Sequence, residues 1–492
     1  MKGGSFGLVN PFVQWQQRIS DRWSFIVNSY LENANGRYKY KINGDGSDSS
    51  VTRTNADVSA READGALYWT KSDSDKFNLH LNYYNSDRGV PGAVVFYNPT
   101  SNERLWNKDF FIQSGYGHLW SSSLHLLINT KLSQDYVRYT DPDFLNNQGG
   151  LDERYTQREF YQSAALSYHL VKNWEIGYSA DVSFSSLDAN LYEFAYPKRF
   201  SLLNVLASNF SIAKWHFQGD LLNTHISEQV KTGQAAPAHT VLSPTLMATY
   251  QPFPSRDLQL RAFYKDIFRY PTFDEQYYFA VTGARTVKPE YAKQYDAGIT
   301  YRKALNSFLD YVTFTADGYY NNVTNKIVAL PNPDPAKTSI INLGKVNITG
   351  VDIGVKTQTK TANGWYGSLA VNYTYQDAVD VTDPTSSDYN QQIPYTPKNT
   401  LAINGGVDYK WLGLYYNLVL SSSRYYLSEN LPQNLVNGYS VSDLAFIYQF
   451  KIGALPAVLS AHADNLFNEQ YVIVQSYPMP GRSYLLSFQI KI

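Results

Sequence analysis

The 492-residue chain contains no cysteine, which excludes a disulfide scaffold, a thiolate metal site and a cysteine nucleophile. It also lacks a charge surplus of either sign: 42 Lys and Arg stand against 43 Asp and Glu, and the pI is 6.7. A nucleic-acid binder would carry a basic excess, so that class is excluded. Long apolar runs are missing too. The longest holds about five residues against the roughly 18 a membrane-spanning helix requires. Charged residues make up only 17% of the chain, yet mean hydropathy is −0.38. Polarity therefore comes from Ser, Asn, Thr, Gln and Tyr. Aromatics are abundant instead: 42 Tyr, 25 Phe and 9 Trp. No linker-like shift of composition divides the chain, which favours one large repetitive β architecture over several domains.

Strict apolar–polar alternation recurs along the sequence. Leu369, Val371, Tyr373 and Tyr375 share one face, with Ala370, Asn372, Thr374 and Gln376 on the other. Residues 312–320 and 484–492 repeat the pattern. A period of two over nine residues predicts strands with one greasy and one polar face. Short polar turns near 20–22, 72–76, 171–173, 253–257, 304–309 and 361–364 alternate with long loops rich in Gly, Asn, Asp and Pro. Those loops lie near 34–60, 86–109, 138–157, 230–241, 268–290, 330–340, 379–396 and 425–437. Short turn followed by long loop is the hairpin rhythm of an outer-membrane barrel, here of about 21 strands. In hydrocarbon an unpaired amide costs several kcal/mol, so a lipid-spanning sheet must close on itself. The regular polar face suits a wet lumen, where a two-sheet sandwich would have a dry core. Trp15, Trp23, Trp69, Trp106, Trp120, Trp174, Trp215, Trp365 and Trp411 fall at strand ends, as interfacial aromatic girdles require.

Counting back from a periplasmic C-terminus, the first assignable strand (about 5–19) descends from the outside to Ser20-Asp21-Arg22. An even barrel then lacks the strand that should rise before residue 5. Met1-Lys2-Gly3-Gly4 carries no apolar region and no cleavage site, so it does not read as a signal peptide. Both observations predict that this sequence starts inside a longer ancestral protein.

The C-terminal residues Asn465-Leu466-Phe467-Asn468, Tyr471 and Pro480-Gly481-Arg482, followed by an alternating strand, closely resemble the closing signature of TonB-dependent outer-membrane receptors. Upstream, Phe268-Arg269-Tyr270-Pro271 is similar to that family's Phe-Arg-Ala-Pro box, with Tyr270 in place of Ala. Val287-Lys288-Pro289-Glu290 resembles the tail of its Asn-Pro-x-Leu box, although the Asn-Pro is absent. Gly350-Val351-Asp352 matches a further recurrent position, and Gly4 to Leu8 with Gln14 to Arg18 looks like a second barrel strand. The family's closing strand usually ends in an aromatic residue, whereas this one ends in Ile492. The resemblance covers essentially all of 1–492 as barrel. It implies a 22-stranded all-β transmembrane barrel, an N-terminal plug with a TonB box, and energy coupling through the TonB–ExbB–ExbD complex. Plug and TonB box are both missing from this sequence. The implied function is uptake of a bulky, scarce nutrient, either a corrinoid such as cobalamin or an iron complex (ferric siderophore or haem). A surface lipoprotein capping the loops is a further expected partner. The alternative is an unselective pore or an inactive fragment of such a receptor.

Loop residues Tyr97, Trp106, Tyr277, Tyr278, Phe279, Tyr425 and Tyr426 can form an aromatic cup, rimmed by Arg88, Arg104, Arg285 and Arg424. Apolar faces with a few donors suit a flat macrocycle or a ferric chelate. Asp45, Asp48, Asp57 and Asp64 offer hard oxygen ligands of the kind Ca²⁺ takes, and cobalamin receptors order comparable loops with calcium. No other cofactor is expected. Haem capture calls for an axial His in an outer loop, and of the eight only His239 lies in one. No nucleophile–base spacing is readable, so the reading is not an enzyme.

Overall fold

The alternating segments become strands throughout. The computed structural model describes all residues except 45–46, 95–99, 145–148, 256, 279–286, 306, 331–338, 361–362 and 492. Twenty-two positions in one barrel are filled by strands. The first are β1 (Lys2–Gly4), β2 (Leu8–Asn10, resumed as Phe12–Arg18), β3 (Trp23–Ala34), β4 (Val58–Thr70) and β5 (Asp75–Val90). There follow β6 (Glu103–Ser121), β7 (Leu124–Asp141), β8 (Leu151–Val171), β9 (Trp174–Ala189), β10 (Lys198–Ile212) and β11 (Trp215–Gln229). The second half begins with β12 (His239–Tyr250), β13 (Leu258–Arg269), β14 (Glu290–Ala304), β15 (Leu309–Leu330) and β16 (Ser339–Thr359). It ends with β17 (Trp365–Asp380), β18 (Asn399–Tyr409), β19 (Leu412–Ser421), β20 (Tyr439–Ile452), β21 (Leu455–Asp464) and β22 (Ser483–Ile490). Pro11 has no amide to donate, which accounts for the break inside β2.

Every strand pairs antiparallel with its neighbours in sequence, and the meander closes where β1 meets β22 through Lys2↔Ser487, Gly3↔Leu486 and Gly4↔Leu485. The expected 21 to 22 strands are thus 22. The strand expected to be missing is present as the three residues of β1. Gly4 is needed there, because a Cβ would sit 2.2 Å from the Tyr484 carbonyl oxygen. Among the described residues, Phe12–Arg18 pairs only with β3, and Gln489 and Ile490 pair only with β21.

One end of the barrel has short turns, five of them the two-residue turns 122–123, 172–173, 213–214, 410–411 and 453–454. The other end carries the long connections, including 190–197 and 465–482, two loops that the turn residues alone did not reveal.

Register fixes the two faces. Gly65, Leu81, Ile112, Leu132, Phe160, Phe184 and Phe200 sit opposite one another across β4 to β10 and form one apolar outward row. Outward leucines stay open, Leu242 and Leu246 at 60% exposure each, a surface that lipid covers and water would not tolerate. The opposite face is polar and internally bonded: Asn28 donates to Asp64 at 3.1 Å and Asn82 to Glu62 at 2.6 Å. Eight of the nine tryptophans lie beside the short turns, and Trp106 alone is at the other end. The girdle is therefore one-sided.

Candidate functional site

At the outer mouth the β13–β14 connection turns into the lumen. Its one helical turn, α1 (Phe273–Tyr277), starts from a reciprocal cap. Thr272 Oγ1 accepts from the Glu275 amide at 3.3 Å, and Glu275 Oε2 accepts from the Thr272 amide at 2.9 Å. Arg269 ion-pairs with the same Glu275. The chain Phe268-Arg269-Tyr270-Pro271 thus ends a strand and launches a helix whose buried side carries Phe273, Gln276 and Tyr277.

That side packs on the inner wall. Phe273, Tyr277 and Tyr278 join Tyr155, Leu187, Phe194 and Ala195 in one apolar cluster, and the rings of Tyr155 and Tyr278 stack at 4.1 Å. Arg199 of β10 holds the segment from below. It donates to the Pro271 carbonyl at 2.9 Å and to Gln276 Oε1 at 2.7 Å, and lies 4.6 Å from the Tyr270 ring and 4.3 Å from that of Phe273. Its charge is met by Glu228 of β11 at 2.9 Å, whose side chain is wholly buried. The Tyr277 hydroxyl donates to the same carboxylate. Burial, then the adjacent Glu228, pushes the Tyr277 phenol far above its ordinary value, so it remains a neutral donor. Burial likewise raises Tyr278.

A second junction ties together four loops beside the seam. Arg424, 3% exposed, donates to the carbonyls of Val472 at 2.9 Å and Ile473 at 2.6 Å and lies over the Tyr439 ring. Burial lowers its pKa from the ordinary value. Arg53 is also buried, beside the Tyr40 ring, and donates to the Gly92 carbonyl. A cavity of about 440 Å³ lies between these loops, lined by Tyr40, Val436, Asn437, Tyr471, Gln475 and Met479. Tyr425 and Tyr426, half-buried, belong to the same junction; the Tyr425 carbonyl accepts from the Tyr395 amide at 2.8 Å.

The expected cup is therefore not assembled as one surface. Tyr277 and Tyr278 are core residues of the inward loop, not rim residues, because their rings are spent on packing against the wall. Arg104 and Trp106 correct in another way: they occupy the outward parity of β6, the face of Phe110 and Ile112. Arg104 is bound there by Asp57 and Asp87. Arg88 donates to Asn107 at 3.2 Å. Tyr97, Phe279 and Arg285 lie outside the described residues.

The calcium set is likewise dispersed. Asp57 is engaged by Arg104, whereas Asp64 lies seven residues on, ~23 Å along an extended chain, where it bonds His80 and Asn28 in the lumen. Among the described residues no group of three acidic or histidine side chains is placed to hold a metal ion. Asp45 lies outside those residues, as does the side chain of Asp48. His239 opens β12 with its ring 5.9 Å from Phe268 and 5.6 Å from Tyr270. Arg199 and Glu228 were missed because nothing near them in sequence marks them; they lie 29 residues apart, and their partners in the inward loop lie 72 to 77 residues (Arg199) and 49 residues (Glu228) further on.

The motif residues have structural jobs. Asn465 is buried: its side chain accepts from the Glu469 amide at 2.7 Å and donates to the Glu469 and Pro480 carbonyls, while its amide donates to Asp443. Leu466 donates its amide to Ser442, and Phe467 is exposed. Asn468 Oδ1 accepts from the Arg482 amide at 2.9 Å, and Gly481 leaves room for it, since a Cβ would sit 2.4 Å from that oxygen. Lys288, Pro289 and Glu290 are stitched to β15 and β16 through Asn325, Ile327 and Asn342.

A closed sheet with lipid outside, water inside, short turns at one end and inward-folding loops at the other defines an outer-membrane transport barrel. The chain belongs to the TonB-dependent receptors: the family model described as TonB dependent receptor-like, beta-barrel, matches residues 9–466. Its fold is similar to that of the copper transporter OprC (TM-score 0.76, 14% identity), with 99% of this chain and 78% of that one aligned. The siderophore receptor PiuA from Acinetobacter baumannii (TM-score 0.74, 13% identity) and the FrpB iron transporter from Neisseria meningitidis (0.74, 14%) align over 99% of this chain and 80% of theirs. These proteins are receptors and transporters rather than enzymes, and the protein resides in the Gram-negative outer membrane.

Proposed function

We propose that this barrel forms the wall of a receptor importing a bulky metal chelate, a corrinoid or a ferric siderophore, with a plug filling the lumen and the TonB–ExbB–ExbD complex supplying the energy. The observation that carries the reading is the wide, polar, 22-stranded lumen with an aromatic loop folded into its outer mouth. A lumen of this width holds a plug in large outer-membrane transporters. The similar structures, a copper transporter, a siderophore receptor and an iron transporter, agree with a chelated metal as cargo. Haem fits less well, because the His239 ring lies against the Phe268 and Tyr270 rings.

The test is accumulation of labelled cobalamin and of labelled ferric siderophores in receptor-deficient cells given this barrel with and without a plug. Uptake of one cargo that needs both the plug and TonB supports the reading. Equal entry of all cargoes in cells lacking TonB would establish an open pore instead. TonB-dependent growth without any plug would refute the proposed division of labour.

A further inference from the structure

The four outer loops that meet beside the seam are tied by buried bonds. The hairpin of Tyr38–Gly44 with Ser47–Arg53 is joined to 465–482 by the Tyr38 hydroxyl, which donates to the Pro478 carbonyl at 2.7 Å. The connection at 91–102 reaches the same loop, since the Val94 amide donates to the Ser476 carbonyl at 2.7 Å. Arg424 brings in the fourth loop through the Val472 and Ile473 carbonyls. Between them lies the cavity of about 440 Å³.

Two guanidinium groups flank this cavity, and among the described residues neither forms an ion pair with a carboxylate. Arg53 is 2% exposed and lies 6.0 Å from the ring of Tyr40, a lining residue. Its Nη2 donates to the Gly92 carbonyl, while Nε and Nη1 are buried with no hydrogen-bond partner among the described residues. The Tyr40 hydroxyl, equally buried, is unbonded as well. Arg424 spends its donors on carbonyls, two of them on the lining residues Asn437 and Val472. Burial lowers its pKa, and only the phenols of Tyr439 and Tyr395 act the other way. Glu103, which like Arg53 acts on Tyr477, accepts instead from Ser101 and Tyr139.

Other covered guanidiniums of this chain are matched: Arg199 meets Glu228 at 2.9 Å, and Arg261 meets Asp317. A buried cation with no acid bears its desolvation cost uncompensated, so two such groups beside one cavity call for an anion. The lining agrees in sign. Lys41 is its one charged residue among those described, and the rest are neutral.

We infer that this cavity binds a small oxyanion, a carboxylate or phosphate group, which accepts hydrogen bonds from Arg53 and the Tyr40 hydroxyl and supplies counter-charge to Arg53 and Arg424. Guanidinium groups match the paired oxygens of such anions. Side chains so deeply covered suit a resident anion that pins the loops to one another, not a cargo released to a plug. The site stands whether or not the barrel imports a chelate.

The full-chain barrel in detergent, titrated with sodium phosphate or sodium citrate at an ionic strength fixed by chloride, tests this by hydrogen exchange. Protection of 38–41, 50–53, 424–437 and 470–479 should rise saturably while β6 to β8 stay unchanged. A response to citrate alone assigns the site to an organic carboxylate, and one to phosphate alone assigns it to a phosphate group. Each hydrogen bond to a charged group is worth roughly tenfold in affinity or more, so R53Q and Y40F should each weaken the response about that much. Y40F removes an oxygen that bonds to nothing in the protein, so it should fold as well as the wild type. K293Q, a distant cation change, should respond as the wild type does. A folded band in cold SDS confirms that each variant is a barrel. Absence of saturable protection with either anion would overturn the inference, and so would undiminished responses in both R53Q and Y40F.

Discussion

Arg199 and Glu228, on adjacent strands, meet at 2.9 Å beneath α1, and the carboxylate has no surface exposed to water. The pair reads the inward loop from two sides, Arg199 through Pro271 and Gln276, Glu228 through Tyr277. Removing one partner of a buried pair strands the other charge, at a cost of about 3–5 kcal/mol. Arg199→Met should therefore release residues 270–278 without unfolding the barrel, whose ladders are elsewhere. Hydrogen exchange should accelerate in that segment and stay slow in β6 to β8. Unchanged protection of 270–278 would show that the apolar cluster alone holds it.

Asn468 and Gly481 make a second coupled pair. Asn468→Ala removes the acceptor of the exposed Arg482 amide, which costs about 0.5–1.5 kcal/mol. Gly481→Ala drives a methyl against the Asn468 oxygen. Because the two changes share one contact, the double variant should be less impaired than the sum of the singles. The yield of SDS-resistant, heat-modifiable barrel measures this. Strict additivity would deny that the glycine exists to admit Asn468.

Those two pairs show what was legible. Period two, alternating loop lengths and the Asn465 to Arg482 signature marked the barrel, because each is a local pattern in the chain. The role of Asn468 needed only its motif neighbours. Residue parity at the mouth was not legible: Trp106 and Tyr277 look alike as loop-end aromatics, yet one faces outward and the other sinks into a cluster with Tyr155. Sequence spacing between strand and loop does not say which way a connection folds. Asp57 and Asp64 failed as a set for the same reason, since they lie on either side of a strand boundary.

The tryptophans offer an independent check on orientation. Trp215 lies 4.5 Å from Tyr250 and Trp365 4.4 Å from Tyr409, both at the short-turn end. Indoles prefer the headgroup level. In liposomes carrying a headgroup-level quencher in one leaflet, most emission should be lost from the short-turn side only, and Trp106→Phe should leave that loss unchanged. Equal quenching from both leaflets would contradict the one-sided girdle.

The seam is where this barrel should yield first. β1 joins β22 over only three residue pairs, whereas β6 and β7 pair over seventeen register positions. Below Lys2, Phe12–Arg18 and the end of β22 present backbone groups with no ladder partner among the described residues. Such groups are costly in hydrocarbon, several kcal/mol each, so water or lipid headgroups must reach them or the edges must separate. Exchange should thus be fastest along 12–18 and 489–490 among all strands, and the SDS-resistant form should melt at a lower temperature than that of a fully paired barrel. Gly4→Val, which places a side chain against the Tyr484 carbonyl, should lower that temperature further. A barrel that resists SDS up to boiling, with 489–490 as protected as β7, would show that the edges find a partner that the three-residue contact does not provide.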